Sequence, residues 1–258
     1  MKWNAAAYDN VSTVQERWGR AVIETLPLKG DETILDAGCG SGRVTVHLLE
    51  RLPRGYLFGV DKSQAMIDQA SAKLAAYSDR SQFICADLVE VALPKKVDFV
   101  FSNAVFHWLL DHDKLFRHLG TLMRSGGVFR SQSGGKGNLA QAKEIADKLR
   151  DFPEFEAYFR TWEYPTNYAD AEETAQRMTA AGFTDVLTDL VEAPTDFDSR
   201  ESFAAFVQNV VLLPYLSRLP DEEVKQSFLT TFVDEIGKAF SGRYWLDYVR
   251  LNIRAIKK

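Results

Sequence analysis

Cysteine is nearly absent, with Cys39 and Cys85 the two thiols of a 258-residue chain. Two cysteines are too few for a disulfide framework or a zinc cluster, so no metal site is expected. Excess positive charge is missing too. Thirty-one Lys and Arg stand against 36 Asp and Glu, a net charge of −5. A broad basic face of the kind that binds nucleic acid is therefore not expected. No apolar run approaches the roughly 18 residues of a membrane span. The opening Met1-Lys2-Trp3-Asn4 begins no signal-peptide core. These absences leave a cytoplasmic globular protein with no membrane or nucleic-acid partner. Nothing calls for an oligomer, and a monomer is the expectation.

What is present is a loop of three glycines at alternate positions, Asp36-Ala37-Gly38-Cys39-Gly40-Ser41-Gly42. It follows an apolar run, Thr33–Ala37, that reads as a buried strand, and it precedes a helical pattern from Val44 to Leu52. Glycines serve where a chain turns sharply off a strand and a ligand must touch its backbone. Such turns lie at the carboxyl ends of parallel strands. The dinucleotide fingerprint would need glycine at position 43, which is Arg43. A nucleoside without a pyrophosphate fits better, and a nucleotide-dependent dehydrogenase fits less well.

Further strands are predicted at Tyr56–Val60, Gln82–Ala86, Val97–Ser102 and Val128–Ser131, with helices Gln64–Tyr77 and Leu115–Met123 between them. Ser125-Gly126-Gly127 should close the second of these helices. Alternating strands and helices predict parallel βαβ units. Beyond them come a mixed helical stretch over 139–159, a helix Ala171–Ala181 stopped by Gly182, and a strand Val186–Glu192. Helices Ser202–Leu213 and Glu222–Phe240 precede a final strand Tyr248–Ile256. The expected architecture is α/β, a doubly wound sheet in one domain spanning 1–258. A helical cover at 1–30 and a core at 31–135 are joined by a helical insert at about 200–240. The insert lies before the last strand, placed to cover the strands' carboxyl ends.

Asp61 falls 19 residues after Gly42, at the end of the second strand, where a carboxylate accepts from ribose hydroxyls. Asp87 ends the third strand, and its carboxylate suits an exocyclic adenine amine. Leu88 offers a backbone N–H there, and Met66 a cover for the adenine face. Taken singly, each acid also reads as a solvated strand end or a helix cap. Together with the glycine loop they read as one cofactor site.

Asp36 to Gly42, Asp61, Cys85-Ala86-Asp87-Leu88 and Ser125-Gly126-Gly127 resemble the ordered motifs of class I S-adenosylmethionine-dependent methyltransferases. The resemblance covers about residues 30–135. It implies a seven-stranded Rossmann-like sheet with an antiparallel last strand, S-adenosylmethionine as cofactor and S-adenosylhomocysteine as product. It also sets Gly38 and Gly40 against the methionine part and Asp61 on the ribose. The implied cofactor set is Tyr8, Asp36, Gly38, Cys39, Gly40, Asp61, Lys62, Met66, Ala86, Asp87, Leu88 and Asn103. Trp3-Asn4, Tyr8, Gln15, Ser102 to Trp108, Gln132 to Gly135 and Leu213-Pro214-Tyr215 resemble, more narrowly, the trans-aconitate methyltransferase group. Insect juvenile hormone acid methyltransferases share part of that pattern. The implied acceptor is a small carboxylic acid such as trans-aconitate or a related acid.

Nitrogen methylases of adenine or glutamine amides carry a Pro-Pro-containing motif after the fourth strand, and here that segment is Ser102-Asn103-Ala104-Val105. A carboxylate acceptor is ionised at neutral pH and needs no base, whereas a hydroxyl or amine acceptor does. His107 has three readings: a base, a donor to the acceptor carboxylate, or a packed structural histidine. Trp108 reads as an indole donor or as core. Gln15, by resemblance, donates to the acceptor carboxylate, and otherwise it belongs to a packed amphipathic helix. Arg17, Arg20 and Arg243 are further candidates to meet an anion. The aromatic insert, with Phe203, Phe206, Tyr215, Phe228, Phe232, Phe240, Tyr244 and Trp245, is either core or a lid over an apolar acid. Methylation of a hydroxyl or amine with His107 as base, and a non-catalytic cofactor-binding module, remain as alternatives.

Overall fold

The computed structural model describes residues 13–258. The chain begins with α1 (Thr13–Glu24) and enters the sheet at β1 (Thr33–Ala37). There follow α2 (Thr45–Glu50), β2 (Tyr56–Asp61), α3 (Gln64–Lys73), β3 (Ser81–Cys85) and β4 (Val97–Asn103). A 3-10 turn, Phe106–Trp108, leads to α4 (His112–Leu122) and β5 (Met123–Gly134). Next come α5 (Ala140–Arg150), α6 (Glu156–Phe159), α7 (Ala171–Ala180), β6 (Phe183–Glu192) and β7 (Thr195–Asp196). The last part holds α8 (Arg200–Asn209), α9 (Leu213–Leu216), α10 (Glu222–Ala239), β8 (Trp245–Leu246) and β9 (Val249–Lys257).

Seven strands form one sheet in the order β3-β2-β1-β4-β5-β9-β6. The first five are mutually parallel, and β9 is antiparallel to both β5 and β6. The order reverses at β1, so the crevice for a ligand opens above the ends of β1 and β4. Because β9 runs backwards, its first residues lie beside the last residues of β5, with Arg250 opposite Gly134.

Alternation along the strands feeds two apolar layers. Leu35 and Phe58 join Leu115, Phe116, Phe129 and Met178 on the α4 and α7 side. Ile34, Leu57, Phe99 and Phe101 meet Ile23 of α1, Leu26 just after it, and Leu48 and Leu49 of α2 on the other. Side-chain caps fix where helices begin. Ser63 accepts from Met66 N at the start of α3, and Asp111 accepts from Lys114 N at the start of α4 (2.8 Å).

Two expectations change. Ser125-Gly126-Gly127 does not close a helix but lies inside β5, which begins at Met123. The β4 ladder shifts register between Val97 and Phe99, and Gly126 takes φ +76, so the strand continues through an irregularity. The cap is also larger than the insert. Phe203, Phe206, Phe228 and Phe232 pack with Leu149 of α5, Phe159 of α6 and Phe155 just before α6, so two separate segments build one apolar cluster. On either side of the insert, β7 and β8 pair antiparallel. No helix among the described residues is long and apolar enough to cross a membrane.

Candidate active site

The end of β1 and the end of β2 are tied together by the glycine loop. Gly38 N and Cys39 N both donate to Val60 O (2.8 and 3.0 Å). Gly40 N donates to Asp61 Oδ2 (3.0 Å), and Ser63 N donates to Asp61 Oδ1 (2.9 Å). Asp61 is thus held rigid with lone pairs to spare on both oxygens, and burial pushes its carboxyl above the usual range. Lys62 reaches from the next position to Asp87 Oδ2 (2.8 Å), and Val89 N donates to Asp87 Oδ1 (3.2 Å). The Lys62 bond holds the Asp87 carboxyl below the ordinary range. Ala86 N donates to Asp61 O (3.0 Å), and Met66 and Leu88 are buried near this edge.

The loop residues divide by the direction each side chain takes. A Cβ on Gly40 (φ +53) would meet nothing within 4 Å, so the loop leaves an open cradle there. A Cβ on Gly38 (φ +87) would come within 2.2 Å of Val105 Cγ2. The space on the Cβ side of Gly38 is therefore filled by Val105, so packing excludes a side chain there. Cys39 is buried, with its Sγ 3.1 Å from where a Gly59 Cβ would be, so it packs inward. Asp36 also turns inward. It is 2% exposed, accepts from Thr45 Oγ1 (2.7 Å) at the start of α2, and burial pushes its carboxyl up to about 7. It supports the loop from beneath instead of facing the crevice. Tyr8, with Trp3 and Asn4, lies outside the described residues.

At the end of β4, Asn103 Nδ2 donates to Gln15 O (2.8 Å), tying α1 over the crevice. Asn103 Oδ1 and Gln15 Oε1 are both buried without a hydrogen-bond partner among the described residues. Two orphaned acceptors beside an open glycine cradle and a strand-end carboxylate suit a ligand with an ammonium group and a ribose. S-adenosylmethionine is such a ligand.

Beyond Asn103 the chain lines a second, narrow cavity of about 40 Å³. Gln15 and Trp18 form its α1 wall, and Ala104, His107 and Trp108 its floor after β4. Asn138, Leu139, Tyr164, Tyr168, Tyr248 and Arg250 come from behind β5 and from β9, and Val210 and Val211 come from the cap. No Asp or Glu is among these described lining residues. Two residues here hold left-handed backbone without being glycine, Ala104 (φ 61) and Leu139 (φ 57), and such strain gathers at working sites.

The geometry of His107 separates its three readings. Gly134 N donates to His107 Nδ1 (3.3 Å), so the neutral ring carries its proton on Nε2. Burial, with Arg250 and His112 nearby, lowers its pKa to about 3. The imidazole is thus a neutral donor with its acceptor nitrogen already engaged. Trp108 packs beside it, ring centroids 4.9 Å apart. Arg250 is 3% exposed, and its guanidinium stacks 4.4 Å over Trp18, which meets Tyr248 edge-on at 5.0 Å.

Of the residues singled out in the sequence, Gln15, His107 and Trp108 line this cavity, and Asn103 is tied to Gln15 beside it. The sequence reading missed Trp18, Asn138, Tyr164, Tyr168, Tyr248 and Arg250. One signal could have found Arg250: an antiparallel last strand starts at the carboxyl edge, so the first charged residue of that strand enters the site. Arg17 and Arg20 are exposed on α1. Arg243 pairs with Asp196 (2.6 Å) and stacks on Trp245, outside the cavity lining. The insert's phenylalanines are core, and Val210 and Val211 are the cap residues that reach the cavity.

Comparison with known proteins places this geometry. Residues 34–127 match the model of a methyltransferase domain. A trans-aconitate 2-methyltransferase of Rhizobium etli is 26% identical over the whole of both chains. One from Escherichia coli is 35% identical over 130 residues, so the chain spans about half the length of that relative. Among solved structures, the YcgJ protein of Bacillus subtilis superposes with a TM-score of 0.65 at 14% identity, covering 94% of this chain and 98% of that one. Phosphoethanolamine N-methyltransferase 2 of Haemonchus contortus, with S-adenosylhomocysteine bound, gives 0.63 at 16% identity, covering 98% and 56%. These weaker likenesses concern the fold. In its loop, its sheet order and the domain match, the chain is similar to S-adenosylmethionine-dependent methyltransferases.

Proposed function

We propose that the chain methylates a carboxylate oxygen of a small acid, trans-aconitate or a related acid. When bound, S-adenosylmethionine supplies an activated methyl group on a sulfonium, transferred by in-line displacement. The chain's part is to hold, align and dry the reactants. Asp61 would accept from the ribose hydroxyls and Asp87 from the adenine amine. Gly40 would pass the chain close under the methionine part, and Asn103 Oδ1 and Gln15 Oε1 would accept from its ammonium.

The observation that carries the acceptor class is the engaged Nδ1 of His107. A histidine with one nitrogen accepting from Gly134 N–H and the other already protonated takes no proton from a hydroxyl or an ammonium. A carboxylate asks for none. It offers an oxygen lone pair that becomes the O–CH₃ bond while the C–S electrons return to sulfur. His107 Nε2–H and the Trp108 indole would orient that carboxylate. Similarity to trans-aconitate 2-methyltransferases supports the same class.

The test is turnover on a panel of acids, alcohols and amines with labelled cofactor. Products hydrolysed by mild base are expected, as methyl esters are, and base-stable products would point to ether or amine methylation. His107→Gln, which keeps a donor, should cost at most about tenfold in kcat. A loss of about 10² or more would restore the base. Binding of S-adenosylhomocysteine with no turnover on any acceptor would favour a non-catalytic module.

A further inference from the structure

Gln132 of β5 stands in a row of polar side chains that crosses four strands. It is in register with Asn103 of β4 and with Asn252 of β9, and Asn252 is in register with Asp189 of β6. Residues in register on neighbouring strands share a face, so the four side chains lie on one side of the sheet. At one end of the row Asn103 Nδ2 donates to Gln15 O of α1 (2.8 Å). At the other end Asp189 is exposed on the edge strand.

Hydrogen bonds run through this row in one direction. An ionised carboxylate only accepts, so Asn252 meets Asp189 through Nδ2, which donates to Oδ2 (3.1 Å). That turns Asn252 Oδ1 toward β5, where Gln132 Nε2 donates to it (2.8 Å). Reversing the Asn252 amide would set oxygen against oxygen at Asp189, and reversing the Gln132 amide would do the same at Asn252. A surface acid thus dictates how a side chain two strands away is turned. What the row leaves over is Gln132 Oε1, buried without a hydrogen-bond partner among the described residues. The Ala104 N–H is spent on the Gln132 backbone carbonyl (2.8 Å). A buried acceptor without a donor costs free energy until one arrives.

Three such acceptors stand together: Gln132 Oε1, Asn103 Oδ1 one strand away, and Oε1 of Gln15, the residue bonded to Asn103. A protonated amine has three N–H donors to match them. All three acceptors are neutral amides, which suits an amine whose charge is balanced by a carboxylate of its own. We propose that Gln132 is a further binding residue for the cofactor's methionine ammonium, with Asn252 and Asp189 as its positioning residues. This rests on the assignment of that ammonium to Gln15 and Asn103 above. Asp189 acts from three strand spacings away, about 14 Å from Asn103.

The experiment is calorimetry on the full chain with two ligands. One is S-adenosylhomocysteine, and the other is its deaminated analogue, which keeps the nucleoside and the carboxylate. The native chain should prefer S-adenosylhomocysteine. Gln132→Met should weaken that ligand about 10- to 100-fold, the size of one hydrogen bond to a charged group, and leave the analogue unchanged. Asp189→Lys puts a donor at the head of the row, so both amides turn over and Gln132 presents N–H groups to the ammonium. It should weaken S-adenosylhomocysteine by a similar factor, have no further effect in a Gln132→Met background, and be without effect on the analogue. Asp189→Glu, which keeps an acceptor, should hold native affinity. If Gln132→Met weakens both ligands alike or neither, Gln132 does not read the amine and the proposal falls, while a native preference for S-adenosylhomocysteine keeps Gln15 and Asn103 in place. If the native chain binds both ligands alike, that assignment itself falls, and the part of Gln132 with it. Should Gln132→Met fail to fold, the exposed Asp189→Lys carries the test, and unchanged affinity in it overturns the row.

Discussion

Gly38 and Gly40 stand two residues apart on one loop and lack a Cβ for different reasons. Gly38 makes room for Val105, and Gly40 faces open space. Their alanine variants should therefore fail in different ways. Gly38→Ala forces a contact of about 2.2 Å onto Val105 at a positive φ, so it should lower stability by a few kcal/mol. Val105→Ala in the same chain should return part of that loss, and additive effects in the double-mutant cycle would contradict the packing account. Gly40→Ala should leave the melting temperature within a few degrees while weakening S-adenosylhomocysteine binding at least tenfold by calorimetry. Unchanged affinity would mean that the cradle does not meet the cofactor. The same contrast governs the acids. Asp36 and Asp61 end neighbouring strands, but Asp36 is turned onto Thr45 and Asp61 onto two backbone N–H groups at the rim.

At the scale of elements, the cap is a unit with its own apolar cluster. Phe228 of α10 is fully buried, edge-on to Phe155 at 5.0 Å and stacked near Tyr215 at 5.8 Å. The Tyr215 hydroxyl donates to Asp147 of α5 (3.0 Å), fastening the insert to the earlier segment. Phe228→Ala should cost about 3–5 kcal/mol, with cofactor binding kept at low temperature because α10 packs chiefly on α5 and α8. A variant that lost cofactor binding while the cap stayed folded would contradict this separation. The five parallel strands were readable because each is a short, continuous apolar run ending in an acid, a glycine or a polar residue. β1 has the bounds its sequence predicts. The extent of β5 was hidden by two glycines that usually end elements and here sit in a bulge. The joining of α5 with α8–α10 was hidden because contacts across roughly 80 residues leave no periodic trace. The acceptor wall was hidden for a related reason. Asn138, Tyr164, Tyr168 and Arg250 stand far apart in the chain, and each looks ordinary where it stands.

At the scale of the whole molecule, two buried groups set opposing dependences of stability on pH. Asp36 has its pKa pushed up to about 7, so between about 4 and 7 the folded chain keeps a proton that the unfolded chain has released. Its contribution falls as pH rises through that window. His107 has its pKa lowered to about 3, so between about 3 and 6.5 the unfolded chain takes up a proton that the folded chain does not hold. Its contribution falls as pH drops. Each spans roughly 3 pH units, on the order of 4 kcal/mol, and they nearly cancel from about 4 to 6.5. Urea unfolding across that range should show Asp36→Asn gaining stability with rising pH and His107→Gln losing it. Parallel profiles for the two variants would contradict the burial of either group. The reversed direction of β9 has a consequence of its own, for how specificity is inherited. Because that strand returns to the site at its start, the acceptor wall beyond Trp108 is written in one uninterrupted passage of the chain, from Asn138 to Arg250. The residues proposed for the cofactor, Gln15 and Gln132 apart, are written in an earlier passage, from Asp61 to Asn103 together with Gly40. Changes of acceptor can therefore accumulate, or be transplanted, in one stretch of gene while the reading of the methyl donor stays untouched, so long as Asp189 keeps its place.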